Sequence, residues 1–455
     1  MRRIILGLIF AFTAICFSGC KKAEEVTTEE PVSEAVVEPE STQAQVSEIK
    51  PSKPEGNPVS GYDSYETVEL EKVEEADVPQ ISAKVEINTS HTAIDEKNYY
   101  QYSFLSTVAK QVYQVICESA KSGNTVVDLS TYRCTADVIN NIYQAVIADN
   151  PQLFYLTKGY VYTYDSRKQT VQNVVLIYTD GSIEDKYDEK GNLVVAADRS
   201  KISGQISEFN NRVSEILGNI PAGVTAVEKE KLIYDYIQDT VTYDKNTAAL
   251  LSNSSNVVSH SFGAYGAACK NLAVCEGYAE LLQYLCYCVG INVTSVSGTA
   301  SGGSHMWNAI QLDSKWYMLD ATWDDSAQDG LHCYQYFNLT ESEMSKDHNA
   351  DSTNLHVPSC TSTEHAPYRY FALYIESTEA PPVNYEAVID YLAETDESYL
   401  CVYAGNQSSD LQDYISKQIY SDFSNLQRYI RQKGYSISFD SRYYMVGNYY
   451  YILLK

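Results

Sequence analysis

The segment from Cys275 to Asp320 constrains the fold of this 455-residue chain more than any other. Apolar residues recur at helical spacing after Cys275, and Gly290 is a typical C-terminal stop of a helix. Three runs of strand-forming residues follow, at 291–296, 305–312 and 315–320. Turn-forming residues separate them, as a Gly/Ser loop at 298–304 and as Asp313-Ser314. The sequence therefore predicts a helix that begins at Cys275 and leads into an antiparallel sheet.

A cysteine at the first position of a helix is a candidate nucleophile. A thiol attacks as its thiolate, and the partial positive charge of a helix N-terminus lowers the thiol pKa. An imidazole within hydrogen-bond reach can act as general base and then as general acid. His305 begins the second strand, and Asp320 ends the third, where its carboxylate can hold the other ring nitrogen. Cys275, His305 and Asp320 are therefore candidate catalytic residues, although sequence spacing alone does not bring them together.

Three blocks of sequence around these residues resemble the core of the transglutaminase-like superfamily, in the family's order and at its spacing. The blocks are Ala273-Val274-Cys275-Glu276-Gly277-Tyr278-Ala279, Ser304-His305-Met306-Trp307-Asn308 and Trp316-Tyr317-Met318-Leu319-Asp320-Ala321-Thr322-Trp323. The resemblance implies an α+β core of the papain-like cysteine-protease type, with helices packed on an antiparallel sheet. It also implies that Cys275 is the nucleophile, that His305 is base and acid, and that Asp320 orients His305.

The resemblance covers about 232–325, and two flanking stretches extend it. Residues 334–339 and 344–348 are similar to what often follows the core in bacterial members, and residues 149–155 to what often precedes it. In the family reaction a thiolate attacks an amide carbonyl and forms a thioester, whose acyl group passes to water or to an amine. The resemblance implies no cofactor.

Further residues are candidates for supporting roles in such a site. The backbone N–H of Cys275 and one side chain would stabilise the oxyanion, and Tyr265, ten residues upstream, is the candidate side chain. Trp307 and Trp323 could line a substrate cleft, with core packing as the alternative. Asn308 could cap the base or simply sit at a strand edge.

The remaining histidines and cysteines do not predict a metal site. The histidines lack metal-ligand spacing and are expected in loops: His91, His260, His332, His348, His356 and His365. Neither Cys286-Tyr287-Cys288 nor His332-Cys333 has the paired spacing of a zinc site. The cysteines other than Cys16, Cys20 and Cys275 could form disulfides in an exported protein or stay as free buried thiols.

The N-terminus predicts export and attachment to a membrane. Arg2 and Arg3 precede a short apolar stretch that ends at Ser18-Gly19-Cys20, the pattern of a secretory signal. The segment resembles a bacterial lipoprotein signal, in which the cysteine, here Cys20, receives lipid; an ordinary signal peptide is the alternative. Residues 21–90 are rich in Pro, Glu, Ser and Thr, and predict a disordered acidic tether.

The net charge limits the partners that the chain can bind, and the aromatic content indicates how its core is packed. The formal net charge of −27 would repel nucleic-acid phosphates, so nucleic acid is not an expected partner. The 40 tyrosines are far more numerous than the 11 phenylalanines, which favours rings that pack in a core and hydrogen-bond at its edge. Residues 367–455 are rich in tyrosine and read as a small separate α+β domain.

These observations combine into one predicted organisation. The segments are a lipoprotein signal peptide (1–20), the tether (21–90), a helical and hairpin region (91–225), the catalytic core (226–362) and the C-terminal domain (367–455). The predicted function is a lipid-anchored, extracytoplasmic cysteine acyl-transfer enzyme that acts on protein or cell-wall peptide amides, with hydrolysis favoured over cross-linking. The alternatives are a non-catalytic binding or scaffold protein on a vestigial fold, and a C-terminal surface for carbohydrate.

Overall fold

The computed structural model describes the greater part of the chain. The described residues are 3–6, 68–70, 99–188, 191–251, 257–325, 332–353, 355–366, 373–375, 399–404, 428, 431–432, 439–446 and 449–454. They divide into two units. The first holds the described residues up to Thr322 together with Leu339–Ser362, and the second holds Trp323–Asn338 and the described residues from Thr363 onward. Cys20, most of the predicted tether and the predicted helix at 384–393 lie outside the described residues.

The elements alternate between helix and strand over most of the first unit. The helices are α1 (Tyr100–Ser103), α2 (Thr107–Lys121), α3 (Ala136–Asp149), α4 (Arg199–Gly218), α5 (Ala226–Thr240), α6 (Lys245–Leu251), α7 (Ala264–Lys270), α8 (Cys275–Cys288), α9 (Ala321–Asp324) and α10 (Glu341–Met344). The strands are β1 (Arg3–Leu6), β2 (Val68–Leu70), β3 (Val126–Asp128), β4 (Leu156–Asp165), β5 (Thr170–Tyr178), β6 (Lys186–Tyr187), β7 (Leu193–Val195), β8 (Thr242–Tyr243), β9 (Leu272–Ala273), β10 (Asn292–Ala300), β11 (Gly303–Leu312), β12 (Lys315–Leu319) and β13 (His348–Ala350).

The first sheet precedes the core in sequence and has the order β2-β1-β4-β5-β3. Its centre is the hairpin β4–β5, which confirms the hairpin predicted between residues 153 and 179. Apolar residues at three- and four-residue steps predict one helix from Tyr99 to about Ala120. The structure has two helices there, because Ser106 starts α2 by accepting a hydrogen bond from the Ala109 N–H. Phe104 and Val108, which the helical spacing assigned to a buried face, are consequently exposed.

The buried carboxylate of Asp149, at the end of α3, connects that helix to α1. Asp149 accepts hydrogen bonds from the Gln101 and Tyr102 N–H groups, at 3.1 and 2.8 Å, and from the Tyr113 hydroxyl at 3.3 Å. Burial raises the pKa of Asp149 to about 7, although these hydrogen bonds lower it. Gln101 also bonds to Thr294 on β10, so this network connects α1 to the second sheet.

The second sheet has the order β12-β11-β10-β13 and is antiparallel throughout. The predicted strands are confirmed, but the loop predicted at 298–304 shortens to a tight turn. Residues Ser301 and Gly302 adopt positive φ angles of 48° and 84°, which lets β10 and β11 extend to the turn. Asp313 and Ser314 form the second tight turn in the same way. Helix α8 packs on β10 and β11, as the sequence predicts.

The second unit contains a sheet of its own. Its strands are β14 (Leu373–Ile375), β15 (Tyr399–Ala404), β16 (Phe439–Val446) and β17 (Tyr449–Leu454), in the order β14-β15-β17-β16. The β14–β15 pair is parallel and the other two pairs are antiparallel. Mixed strand and helix in this region agree with the predicted α+β class, although only residues 428 and 431–432 of the helix predicted up to Gln432 are described as helical.

Two further observations concern disulfides and membrane-spanning helices. Every cysteine within the described part of the chain is a free thiol. No helix in the described ranges combines the length and the apolar character that a membrane span needs.

Candidate active site

Cys275 is the first residue of α8, as the sequence predicts. Val274 precedes it in extended conformation and offers no side-chain cap to the N–H groups of the first helical turn. Cys275 is fully buried. It belongs to a hydrophobic cluster with Val274, Ala248, Ala279 and Met306, against which Tyr243 and Phe262 pack. Met306 is the neighbour of His305 in the chain, so this cluster joins the start of α8 to β11.

Close backbone contacts fix the start of α8. The Val274 N–H donates to the Ser261 carbonyl at 2.9 Å, immediately before the cysteine. A Cβ atom at Gly277 would lie 2.8 Å from the same Ser261 carbonyl oxygen, so only glycine fits on this face of the helix. Asn308 donates from Nδ2 to the Ala279 carbonyl at 3.0 Å and ties β11 to α8. The two alternatives considered for Asn308 are thus replaced by a third role, a brace between strand and helix.

Two acidic residues lie one turn apart on α8, and sequence analysis assigned them no role. Glu276 is buried and pairs with Lys158 on β4 at 2.6 Å, which links the nucleophile helix to the first sheet. Glu280 accepts a hydrogen bond from the Ala264 N–H at 3.1 Å. Burial, and then the charge of Glu276, raise the pKa of Glu280 and favour its protonated form.

His305 and Asp320 meet in the interior, as predicted. His305 lies near the start of β11, Asp320 directly follows β12, and the distance from His305 Nε2 to Asp320 Oδ2 is 2.6 Å. Both side chains are buried. The other carboxylate oxygen of Asp320 accepts from the Thr322 N–H at 2.9 Å. Burial alone would raise the pKa of Asp320, but the charge of His305 and the hydrogen bonds from His305 and His348 hold that pKa well below its usual range.

His348 also lies in this site, which sequence analysis did not predict. It was expected in a loop, but it is buried in β13, and its Nε2 lies 3.1 Å from Asp320 Oδ2. Its Nδ1 lies 2.6 Å from Asp347 Oδ1. The expectation failed because β13 is only three residues long and gains its place by pairing with β10, which leaves no periodic signal in the sequence.

His305, Asp320 and His348 are also the one set of ligand-type side chains close enough to hold a metal ion within the described ranges. Their ligand atoms all lie within 4.8 Å of one another. The two hydrogen bonds to Asp320 Oδ2 account for this proximity without an ion, and a metal bound to His305 Nε2 would replace the bond that orients that ring.

The two tryptophans proposed for a cleft lie in different units. Trp307 is buried on β11, near-parallel to the His305 ring at 6.0 Å and edge-on to the His348 ring at 5.0 Å. It therefore packs beside the histidines as part of the core. Trp323 belongs to the second unit, where its ring packs edge-on against Tyr336.

Tyr265 is already engaged by another partner. It lies on α7, and its hydroxyl donates to Glu208 Oε2 at 2.6 Å. Burial, and then the hydrogen bond to Glu208, raise the pKa of Tyr265 to about 12. Lys270 also pairs with Glu208, at 2.9 Å, and lies over the Tyr265 ring. Because its proton is bonded to a carboxylate, Tyr265 is a poor oxyanion donor, and this geometry argues against the role predicted for it.

Comparison with protein families identifies the part of the chain that holds this site. Residues 215–321 match the sequence profile of the transglutaminase-like superfamily. Kyphoscoliosis peptidase from Mus musculus is 30% identical over 67 residues, which cover 12% of this chain and 10% of that protein. The Homo sapiens protein of the same name is 29% identical over 69 residues, with the same coverage. The chain thus matches about a tenth of the length of these curated relatives.

Two solved structures are similar over part of the chain. One, described as a TGase, shares 14% identity with a TM-score of 0.24 and covers 42% of each chain. The other, from Cytophaga hutchinsonii and described as a candidate cysteine protease, shares 18% identity with a TM-score of 0.20. It covers 34% of this chain and 51% of that one.

Proposed function

Residues 215–321 match the transglutaminase-like superfamily, and from this we propose that the protein is a cysteine acyl-transfer enzyme that acts on peptide amides. The observation that carries the proposal is the buried 2.6 Å contact between His305 and Asp320, next to a helix that begins with Cys275. A cysteine kept for packing alone would need no oriented imidazole on the neighbouring strand.

The residues support a two-step reaction. His305 accepts the thiol proton at Nδ1, because its Nε2 is held by Asp320. The thiolate forms a bond to the amide carbonyl carbon, and the N–H groups at the start of α8 stabilise the oxyanion. The C–N bond then breaks, and His305 gives its proton to the leaving amine. Water then attacks the thioester carbonyl and gives a proton to His305, the C–S bond breaks to release the carboxylic acid, and His305 passes that proton to the Cys275 thiolate.

Hydrolysis is favoured over cross-linking because no motif in the sequence marks a site for an amine acceptor, whereas water is always present. The peptidase named among the relatives agrees with this choice. An activated ester such as p-nitrophenyl acetate tests it, because acylation and deacylation can be followed separately. We expect a burst of nitrophenol, then steady release of acetate that added glycinamide does not divert.

The Cys275→Ala variant is the control for this assay, and it should show neither burst nor turnover. If glycinamide takes most of the acyl group, the enzyme is a transferase to amines and the hydrolytic assignment is wrong. If wild type and Cys275→Ala behave alike, the site is vestigial and the chain is a binding or scaffold protein.

We also propose that the protein acts outside the cytoplasm and is anchored by lipid on Cys20, with a protein or a cell-wall peptide as substrate. The support is the N-terminal signal pattern and the acidic, proline-rich stretch after it. Growth of the source cells with a radiolabelled fatty acid should label the wild-type chain and leave Cys20→Ser unlabelled. Equal label in both chains would contradict the anchor.

A further inference from the structure

One imidazole in the site faces a carboxylate at each of its nitrogens. His348 Nε2 lies 3.1 Å from Asp320 Oδ2, and His348 Nδ1 lies 2.6 Å from Asp347 Oδ1. The His348 side chain has no exposed surface, whereas that of Asp347 keeps 26% of its surface exposed.

The number of N–H groups decides the charge of this ring. A neutral imidazole carries one N–H and could donate to one carboxylate only, and its bare nitrogen would then face the other negative charge. An imidazolium carries two N–H groups and can donate to both carboxylates. Asp320 stays ionised, because the charge of the histidines and their hydrogen bonds hold its pKa well below the usual range despite burial. In this geometry, both nitrogens of His348 can donate to ionised carboxylates only when the ring carries two N–H groups.

We infer that His348 is a positioning residue of the catalytic site, held as a buried imidazolium by Asp347, and that it fixes Asp320 and limits how strongly Asp320 supports His305. This inference rests on the proposed function, because it assigns the role by way of the Cys275–His305 pair. The inference adds His348 and Asp347 to the predicted triad. In the inferred state, the sign of the charge alternates from the Cys275 thiolate through His305, Asp320 and His348 to Asp347.

The fold holds His348 in this place from several sides. Residue 348 pairs with Ala300 at the end of β10, next to the turn that leads to His305. The Trp307 ring packs edge-on against it at 5.0 Å. A Cβ atom at Gly298, also on β10, would lie 2.8 Å from the Trp307 ring, so glycine at that position allows the indole to reach the histidine.

The charge of His348 should affect His305 directly. The two rings lie 5.4 Å apart, and both bond to the same oxygen of Asp320. The charged and titratable groups that face His348 in the described part of the site are Asp347 beside it, Asp320 at the end of β12 and His305 on β11. A positive charge at this distance disfavours a second one on His305. Its removal should let the His305 imidazolium persist to higher pH.

The pH dependence of Cys275 carboxymethylation by iodoacetate measures this effect. The anionic reagent attacks fastest while the thiolate has a charged imidazolium beside it, so the rate falls again at alkaline pH. Burial raises the pKa of Cys269, Cys288 and Cys360 to about 12, and mass spectrometry of the Cys275 peptide separates the reactive thiol from these.

We expect the alkaline limb of this profile to move upward by roughly one pH unit in the full chain carrying His348→Gln. Glutamine keeps one N–H donor for Asp320 but carries no charge. Asp347→Asn should move the limb in the same direction by a smaller amount, because it removes one of the two carboxylates that keep His348 charged. Asp347 is partly exposed, so this second variant should fold even if the first does not.

The matched control is His260→Gln. His260 is a partly buried histidine whose Nε2 contacts Gln205 at 3.1 Å, and it belongs to another side-chain network. It should leave the limb in place. The inference is overturned if both variants keep the wild-type limb, or if the control moves it equally. If wild-type Cys275 shows no bell-shaped profile at all, the proposed function fails instead, because the thiolate–imidazolium pair is then absent.

Discussion

Replacing His305 by alanine should lower the rate constant for alkylation of Cys275 by iodoacetamide on the order of 100-fold at pH 6. An unassisted thiol titrates near ~8.5, so well under about one per cent of it is thiolate at this pH. In the proposed mechanism, the imidazolium of His305, whose Nε2 lies 2.6 Å from Asp320 Oδ2, stabilises the thiolate of the wild type. The two proteins should approach each other near pH 9, where the free thiol ionises unaided.

The burial of Cys275 slows the entry of iodoacetamide, but this does not affect the ratio of the two rate constants. Cys275 is fully buried, so entry of iodoacetamide slows the reaction, but it does so in both proteins and cancels in the ratio. His260→Ala serves as the control for a histidine removed elsewhere in the same unit, and it should react like the wild type. Equal rates at pH 6 for wild type and His305→Ala would show that His305 does not activate the thiol.

Replacing Asp320 by asparagine should lower the acylation rate with p-nitrophenyl acetate by roughly 10³–10⁴-fold near pH 7, the size seen when the orienting carboxylate of a triad is removed. An amide can present its NH₂ group to His305, which then adopts the wrong tautomer. Both histidines lose the charge between them. An effect under about tenfold would mean that Asp320 is not part of the machinery.

The same substitution should change stability in a pH-dependent way. The pKa of Asp320 is depressed in the folded chain, so its contribution is present above the unfolded value near ~3.9 and is lost as the pH falls through the folded value. Urea unfolding should therefore give a wild-type advantage on the order of 2–3 kcal/mol at pH 6, which shrinks between pH 4 and 2. A constant difference over this range would contradict the buried pairing.

Local patterns made the core of this fold predictable. Helix α8 runs from Cys275 to Cys288, and Gly290 follows it with a φ of 84°. Both ends could be predicted because the apolar spacing and the glycine lie within the helix or directly beside it. The turn-forming residues of the two hairpins are equally local signals. They correctly predict the order of β10, β11 and β12. The contact between His305 and Asp320 could be inferred because His305 lies on β11 and Asp320 directly follows the adjacent strand β12.

Features that depend on distant residues were not predictable in this way. His348 reaches Asp320 only because a three-residue strand pairs with the far end of β10, and nothing around His348 in the sequence marks that pairing. Tyr265 was a candidate from its place ten residues before Cys275, but its hydroxyl donates to Glu208, which lies 57 residues earlier in the chain. The ion pair between Lys158 and Glu276 likewise joins the first sheet to α8, and no local pattern encodes that contact.

The most direct test of the mechanism is to trap the acyl-enzyme. The full chain is mixed with p-nitrophenyl acetate, quenched in acid within the burst, digested and analysed by mass spectrometry, beside His305→Ala. The mechanism predicts one acetyl group on the peptide that contains Cys275, formed quickly in the wild type and slowly in the variant. Acetyl groups on other residues with none on Cys275, or equal acetylation of Cys275 in both proteins, would contradict it.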